Sequence, residues 1–237
     1  MRDARTPIWQ AIADALRSDL AEGRYLPGDR LPTEAALAER FGVNRHTVRH
    51  GIKALVDEGL VRTRRGAGAF VAAVPTDYPI GRRVRFHENL IAAGRLPEKR
   101  VLLLEERAAT GGEARALEIA AGDPVCACHG LSLADAQPIA VFESLFPLAS
   151  LLGITAALSQ TSSVTEALAA VGVADYTRAS TRLTAVRATA TLALHLQVSE
   201  GDPLLRSSGV NVDAAGVPVE YGRTWFAGDR VTLTLEE

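Results

Sequence analysis

Residues 31–71 read LPTEAALAERFGVNRHTVRHGIKALVDEGLVRTRRGAGAFV. Thr33 stands ahead of a run in which Leu37, Ala38 and Phe41 fall on one face, so the spacing predicts a helix. Its cap is Thr33, and Glu34 lies in the first turn, where the positive end of the helix dipole favours a carboxylate. Gly42 ends it. Only three residues later a second helix begins, capped by Asn44 and running from Arg45 to about Glu58, with Val48, Ile52, Leu55 and Val56 inward. The polar face of its first half is Arg45, His46, Thr47, Arg49 and His50. Two short helices joined by a tight turn containing glycine, the second basic at its start, form the helix-turn-helix pattern. Gly59 closes the second helix. Residues 60–71 then predict two short strands around a basic tip, a wing in which Gly66 and Gly68 allow positive φ or close approach to a phosphate. Arg64 and Arg65 would lie over a nucleic-acid backbone or reach a minor groove.

Ahead of this run, residues 8–22 place Ile8, Ile12, Leu16 and Leu20 at four-residue spacing behind Pro7, a further amphipathic helix. Tyr25–Pro32 is a turn-rich connector whose prolines forbid helix continuation. The net charge of the chain is −2, which would argue against a nucleic-acid partner if it were evenly spread. Residues 1–72, however, hold twelve Arg and Lys against nine Asp and Glu, and residues 73–237 hold fourteen against nineteen. Within 41–71 six cations face only Asp57 and Glu58. A local cationic patch inside an acidic protein suits a phosphate backbone.

The run 31–71 closely resembles the DNA-binding domain of GntR-family repressors, whose pattern is LPSE, a helix, VSRxTVRxAL, EGLV and a wing ending GxGxFV. This chain departs from it with Asn44 for Ser, Gly51 for Ala, and Ala67 between the wing glycines. The resemblance implies a winged helix-turn-helix. It implies DNA contacts from Arg30, Thr33, Glu34, Arg45, Thr47, Arg49 and Gly66, with Arg45 and Arg49 as base readers because arginine pairs bidentately with guanine; His46 on the polar helix face and Arg64, Arg65 and Gly68 in the wing complete the expected DNA-binding set.

At 237 residues the chain favours two domains over one. Residues 73–79, with two prolines and no periodicity, are the expected linker between a DNA-binding domain over 1–72 and an effector-binding and dimerisation domain over 80–237. Beyond the linker the pattern is α+β. Strands are predicted over 98–109, 125–134, 139–146, 179–188, 204–213, 217–226 and 230–235, and helices over 112–120, 163–171 and 190–196, with hairpin turns at Asp135–Pro138 and Ala214–Gly216. Antiparallel hairpins with interspersed short helices give a mixed sheet flanked by helices. The order of these elements resembles the sensor (UTRA-type) domain of the HutC branch of that family, a chorismate-lyase-like fold. The run IGRRVRFHENLIAAGRLP resembles, more narrowly, the opening of regulators of phosphonate metabolism.

By that resemblance Arg85, Ser132, Ser163, Glu220 and Phe226 occupy effector-pocket positions. Many members carry Arg-x-Arg where this chain has Gly130 and Ser132, which implies a smaller or differently shaped ligand. The residues by themselves say less. Arg82, Arg83 and Arg85 cluster before apolar Phe86, and such clusters bind anions or merely face solvent. His87, Asn89, His129, Glu143, Arg178 and Arg223 are polar residues near expected strand ends, with binding and structural roles both open. Of these His87, Glu143, Arg178 and Arg223 complete the expected effector set. The expected partners are a palindromic double-stranded DNA operator, a small anionic metabolite and a second copy of the chain.

Several classes find no support. No metal pair of Cys-x-x-Cys type with a second half, no His-Glu-x-x-His, no Gly-x-Ser-x-Gly and no Gly-Lys-Ser/Thr phosphate loop is present, so no catalytic residue, metal or cofactor is expected. Cys126 and Cys128 stand two apart in an apolar run, a weak signal for metal or disulfide. Apolar stretches fall short of the roughly twenty residues of a bilayer span, and the first residues lack a signal-peptide core, so a cytoplasmic location is expected.

Overall fold

The computed structural model describes residues 7–64, 66, 68–72, 75–81 and 86–235, without the side chains of Arg64 and His87. The chain divides into two compact units, Met1–Val74 and Pro75–Glu237.

In the first unit, helices α1 (Ile8–Ala21), α2 (Glu34–Phe41) and α3 (Arg45–Asp57) precede strands β1 (Val61–Arg64) and β2 (Gly68–Val71), which pair antiparallel. The caps are those the sequence predicts: Thr33 Oγ1 accepts from the Ala36 amide at 3.2 Å and Asn44 Oδ1 from the Thr47 amide at 2.8 Å. Gly42 ends α2 at φ +64, a left-handed conformation that glycine adopts without steric cost. Ile12, Leu16, Leu37, Val48, Ile52 and Leu55 form the core. Helices α1 and α3 approach so closely at Gly51 that a Cβ there would lie 3.0 Å from the Trp9 carbonyl oxygen and 3.1 Å from Ile12 Cγ2. That spacing explains the glycine. Asp19, only 4% exposed, accepts from Arg40 at 2.5 Å and pairs with Arg24 at 2.7 Å, tying α1 to α2 and to the connector.

The second unit is built on an antiparallel six-stranded sheet. Its strands are β4 (Pro97–Ala108), β5 (Pro124–Ala134), β6 (Gln137–Pro147), β7 (Thr177–Arg187), β8 (Pro203–Val212) and β9 (Pro218–Ala227), in the order β4-β5-β6-β9-β8-β7. A separate parallel pair joins β3 (Thr76–Pro79) to β10 (Val231–Thr234). Side-chain alternation sorts the helices to the two faces. Cys126, Cys128, Phe142 and Phe146 pack against α6 (Ile154–Gln160) and α7 (Val164–Ala170). Val125, Ala127 and Leu145 face the other way, onto α5 (Gly111–Leu117), while Leu204 packs with α8 (Ala190–Leu196). Further along the first face, Ala140 and Phe226 pack with Tyr78, Ile80 and Leu90, the last from α4 (Phe86–Ala92).

The α+β class and the winged helix-turn-helix expected from the sequence are what the structure shows. Two expectations change. Residues 76–79 are not linker but strand β3, whose partner lies at the far end of the chain, where local periodicity cannot reveal it. Helices α4 and α6 fall where the sequence assigned no element; each is seven residues, too short to establish a period.

Candidate functional site

The first site lies on α3. Arg45, His46 and Arg49 are exposed on its first turns, and Thr47 is half-buried, its hydroxyl donating to Asn44 Oδ1 at 3.0 Å. Arg49 is engaged: its Nε and Nη2 donate to the two Glu34 oxygens at 2.9 and 2.7 Å. This bidentate bond lowers the Glu34 carboxyl below its usual range and raises the Arg49 guanidinium above its own. Glu34 therefore holds Arg49 across the helix pair. Thr33 spends its hydroxyl on the α2 cap. Arg30 forms a ladder bridge with Phe70, and its guanidinium lies against Gly68, where a Cβ would come within 3.1 Å of Arg30 Nε. Gly66 and Gly68 both have positive φ, at +76 and +108. The wing tip is thus shaped by glycine, with Arg30 along its flank. Arg65 and the side chain of Arg64 lie outside the described residues.

The second site is a cavity of about 600 Å³ on the first face of the large sheet, within the size range of small-ligand pockets. Of the expected effector residues, Ser132, Ser163, Arg178, Glu220 and Phe226 line it. Ser163 also caps α7, accepting from the Glu166 amide at 3.3 Å. Arg85 and the side chain of His87 lie outside the described residues.

Glu143 and Arg223 do not line it, which corrects the expectation for both. Phe142 and Ser144, Gly222 and Thr224 face the cavity, so by the period of two Glu143 and Arg223 face away. There they join a charged cluster. Arg107 donates twice to Glu113, at 2.8 and 3.0 Å; Arg223 bridges Glu113 at 3.2 Å and Glu143 at 2.5 Å; His129 lies 3.6 Å from Glu143. The Arg107 bond and the Thr110 capping box hold the Glu113 carboxyl down to about 2. Asn89 is structural as well, donating to the Pro79 carbonyl at 3.0 Å.

The sequence reading missed Lys99. It alternates inward with Pro97 and Val101 on β4, sits opposite Ser132, and places its amine 4.7 and 5.4 Å from the rings of Phe142 and Phe86. Burial pushes that amine below its usual range. Nothing in the sequence sets Lys99 apart from charged Glu98 and Arg100; only the burial along β4, half-buried at 97, 99 and 101 and exposed between, does so. Gly130 is now explained too, since a Cβ there would lie 2.6 Å from Phe142 Cζ. The ring fills the place a longer side chain would need.

Comparison with known proteins finds a match for each of the two units. Residues 9–71 match the model of bacterial regulatory proteins of the gntR family, and residues 92–232 match the UTRA domain. The chain belongs to the GntR family, in its UTRA-bearing, HutC-type branch. It is 38% identical over 236 residues to the uncharacterized HTH-type transcriptional regulator RB1450 of Rhizobium meliloti, covering 99% of this chain and 97% of that protein. It is 33% identical over 229 residues to the probable transcriptional regulator PhnF of Escherichia coli, covering 96% and 94%. The crystal structure of PhnF from Mycobacterium smegmatis superposes with a TM-score of 0.65 at 24% identity, covering 95% of this chain and 98% of that one, and shows the same fold. The GntR-family protein is accordingly a transcriptional regulator and not an enzyme. Among the described residues no helix is long and apolar enough to cross a membrane.

Proposed function

We propose that this GntR-family regulator is a cytoplasmic, ligand-responsive repressor of a phosphonate or related phosphorus catabolic operon. It binds a palindromic operator as a homodimer and leaves it when a small anionic metabolite fills the cavity of the second unit. Arg45 reads bases from the start of α3. Arg49, steered by Glu34, is the second reader. Arg30, Thr33, His46, Thr47, Gly66 and Gly68 position the helix and wing on the phosphates, joined by Arg64 and Arg65. Two copies present their helices to half-sites one helical turn apart, roughly 34 Å.

The observation that carries the response is the position of β3. Tyr78 and Ile80, on and just after the first strand beyond the boundary between the units, line the cavity, and Tyr78 packs on Phe226 with ring centroids 5.3 Å apart. A ligand in the cavity thus touches the segment that leads out of the DNA-binding unit, and a ligand that favours one setting of that segment shifts the equilibrium between DNA-competent and incompetent states. The similarity to PhnF supports the phosphorus assignment. Duplexes selected from a random pool by the purified chain should be palindromic, and small-molecule fractions from cells grown on phosphonate should release them. Selection of sites without two-fold symmetry, or operator affinity indifferent to every fraction, would overturn the proposal.

A further inference from the structure

The cavity floor has a trough built from the sheet register. Gly222 on β9 pairs with Ser144 on β6 and with Gly209 on β8, so three neighbouring positions across the sheet carry one hydroxyl and no other side-chain atoms beyond Cβ. Opposite charges lean over the two ends of that trough. The guanidinium of Arg178 occupies the space above Gly209, where any Cβ would collide with Nη1. A bulge between Arg178 and Ser180 shifts the alternation of β7, so that Arg178 and Thr181, three apart, both face the cavity. Glu220 lies at the other end, and the point where Gly222 would carry a Cβ is 3.6 Å from its Oε1.

The protein leaves these charges incompletely matched. Arg178 Nε is buried without a hydrogen-bond partner, and among the described residues Arg178 makes no ion pair. Lys99 brings a second cation to the same cavity, flanked by two aromatic rings and, among the described residues, in no close ion pair, with Glu220 the carboxylate that acts on it across the cavity. Glu220 is 7% exposed and, among the described residues, accepts only from neutral donors, Ser144 Oγ and Asn211 Nδ2, each at 2.6 Å, so each of its oxygens has further acceptor capacity. The other two carboxylates of the lining, Glu88 and Glu166, are exposed at its rim. Two half-buried cations facing one carboxylate, with a buried guanidinium nitrogen unpaired, cost free energy that an incoming anion offsets through charge-assisted hydrogen bonds.

We propose that the effector is a small oxyanion with a hydrogen-bond donor at its other end. Its anionic group is received by Arg178 and Lys99 over Gly209, and its donor, a hydroxyl or an amine, reaches Glu220 Oε1 through the opening left by Gly222. This rests on the reading of the cavity as the effector site and adds the chemistry of the ligand and the residues that select it. Lys99 and Gly209 enter here as specificity-determining positions, the first by supplying charge and the second by making room for Arg178.

The test is titration calorimetry on the full chain with methylphosphonate, hydroxymethylphosphonate and glycolate, with uncharged ethylene glycol as control. Unfolding temperatures should confirm that each variant folds. The wild type should bind hydroxymethylphosphonate more tightly than methylphosphonate and not bind ethylene glycol. Arg178→Gln and Lys99→Met should each weaken all anionic probes by about tenfold or more, and Glu220→Gln should erase the preference for hydroxymethylphosphonate while retaining methylphosphonate. Binding unaffected by Arg178→Gln, equal affinity for the two phosphonates in the wild type, or no binding of any anionic probe at about 10 mM overturns the proposal. Release of the operator by an uncharged ligand would also overturn it while leaving the repressor reading intact. Arg178-dependent anion binding that never alters DNA affinity would do the reverse.

Discussion

In the proposed DNA interface Glu34 acts through Arg49. Glu34 takes the Nε proton and one Nη2 proton of Arg49 at 2.9 and 2.7 Å, which fixes the guanidinium plane and leaves its Nη1–Nη2 edge for a guanine, whereas among the described residues Arg45 has no such tie. Replacing Glu34 with Gln removes a negative charge beside the phosphates and frees Arg49. Affinity for unrelated duplex should rise, and discrimination against a mismatched half-site should fall by about 1 kcal/mol or more, read by competition between matched and mismatched operators. Glu113 makes a second prediction at this scale. Its carboxyl is held near 2 in the folded protein against an ordinary 4.5, so the unfolded chain binds its proton first as pH falls. The stabilisation is complete above about pH 5 and is lost as the pH drops from there toward 2. Urea unfolding should show Glu113→Gln destabilised by up to about 3 kcal/mol at pH 7, with the gap to wild type closing toward pH 3. A constant gap across that range would contradict the role given to the charge.

At the scale of elements, the turn between β5 and β6 places Asp135 at φ +49 and Ala136 at φ +62, a two-residue hairpin of the primed type, which needs both central residues left-handed. Asp135 earns its position through acceptance from the Leu96 amide at 2.8 Å and a bond from Arg95. Ala136 has no such compensation, so Ala136→Gly should stabilise the second unit by about 0.5–1 kcal/mol, measured as a shift in the urea midpoint. The helix-turn-helix was legible because every signal in it is local: Thr33 and Asn44 cap within three residues, Gly42 terminates, and the Leu37 and Val48 stripes have helical period. The hairpin β5–β6 was legible for the same reason. The cavity was less so. Ser132, Glu220 and Phe226 could be placed only through resemblance, and the side of the sheet taken by Glu143 and Arg223 depends on a register that short-range pattern does not fix. Lys99 reads as an ordinary surface lysine until β5 is laid beside it, and the trough at Gly209 and Gly222 exists only when β8 and β9 pair. Strand β3 shows the limit most plainly, since the residue that makes it a strand is its partner in β10.

For the molecule as a whole, the distribution of charge matters more than its sum. In the proposed dimer a short cationic stretch over 41–71, within a chain of net charge −2, would give each subunit few phosphate contacts, so binding would depend on two reading heads and on counterion release. With roughly eight phosphates neutralised by the pair, affinity should fall at least about a thousandfold between 50 and 200 mM salt, and a steeply concentration-dependent binding curve should accompany subunit dissociation. Such reliance on two weakly binding heads would make the proposed dimer controllable from its second unit, since misplacing one head would cost most of the affinity. The most direct test of this account is the affinity of the full chain for its selected operator with the cavity empty and with it saturated by hydroxymethylphosphonate, saturation being confirmed by calorimetry. Fluorescence anisotropy of the labelled duplex should show binding weakened by about tenfold or more in the wild type and unchanged by the same addition in Arg178→Gln. Equal operator affinity with the cavity empty and full would contradict it.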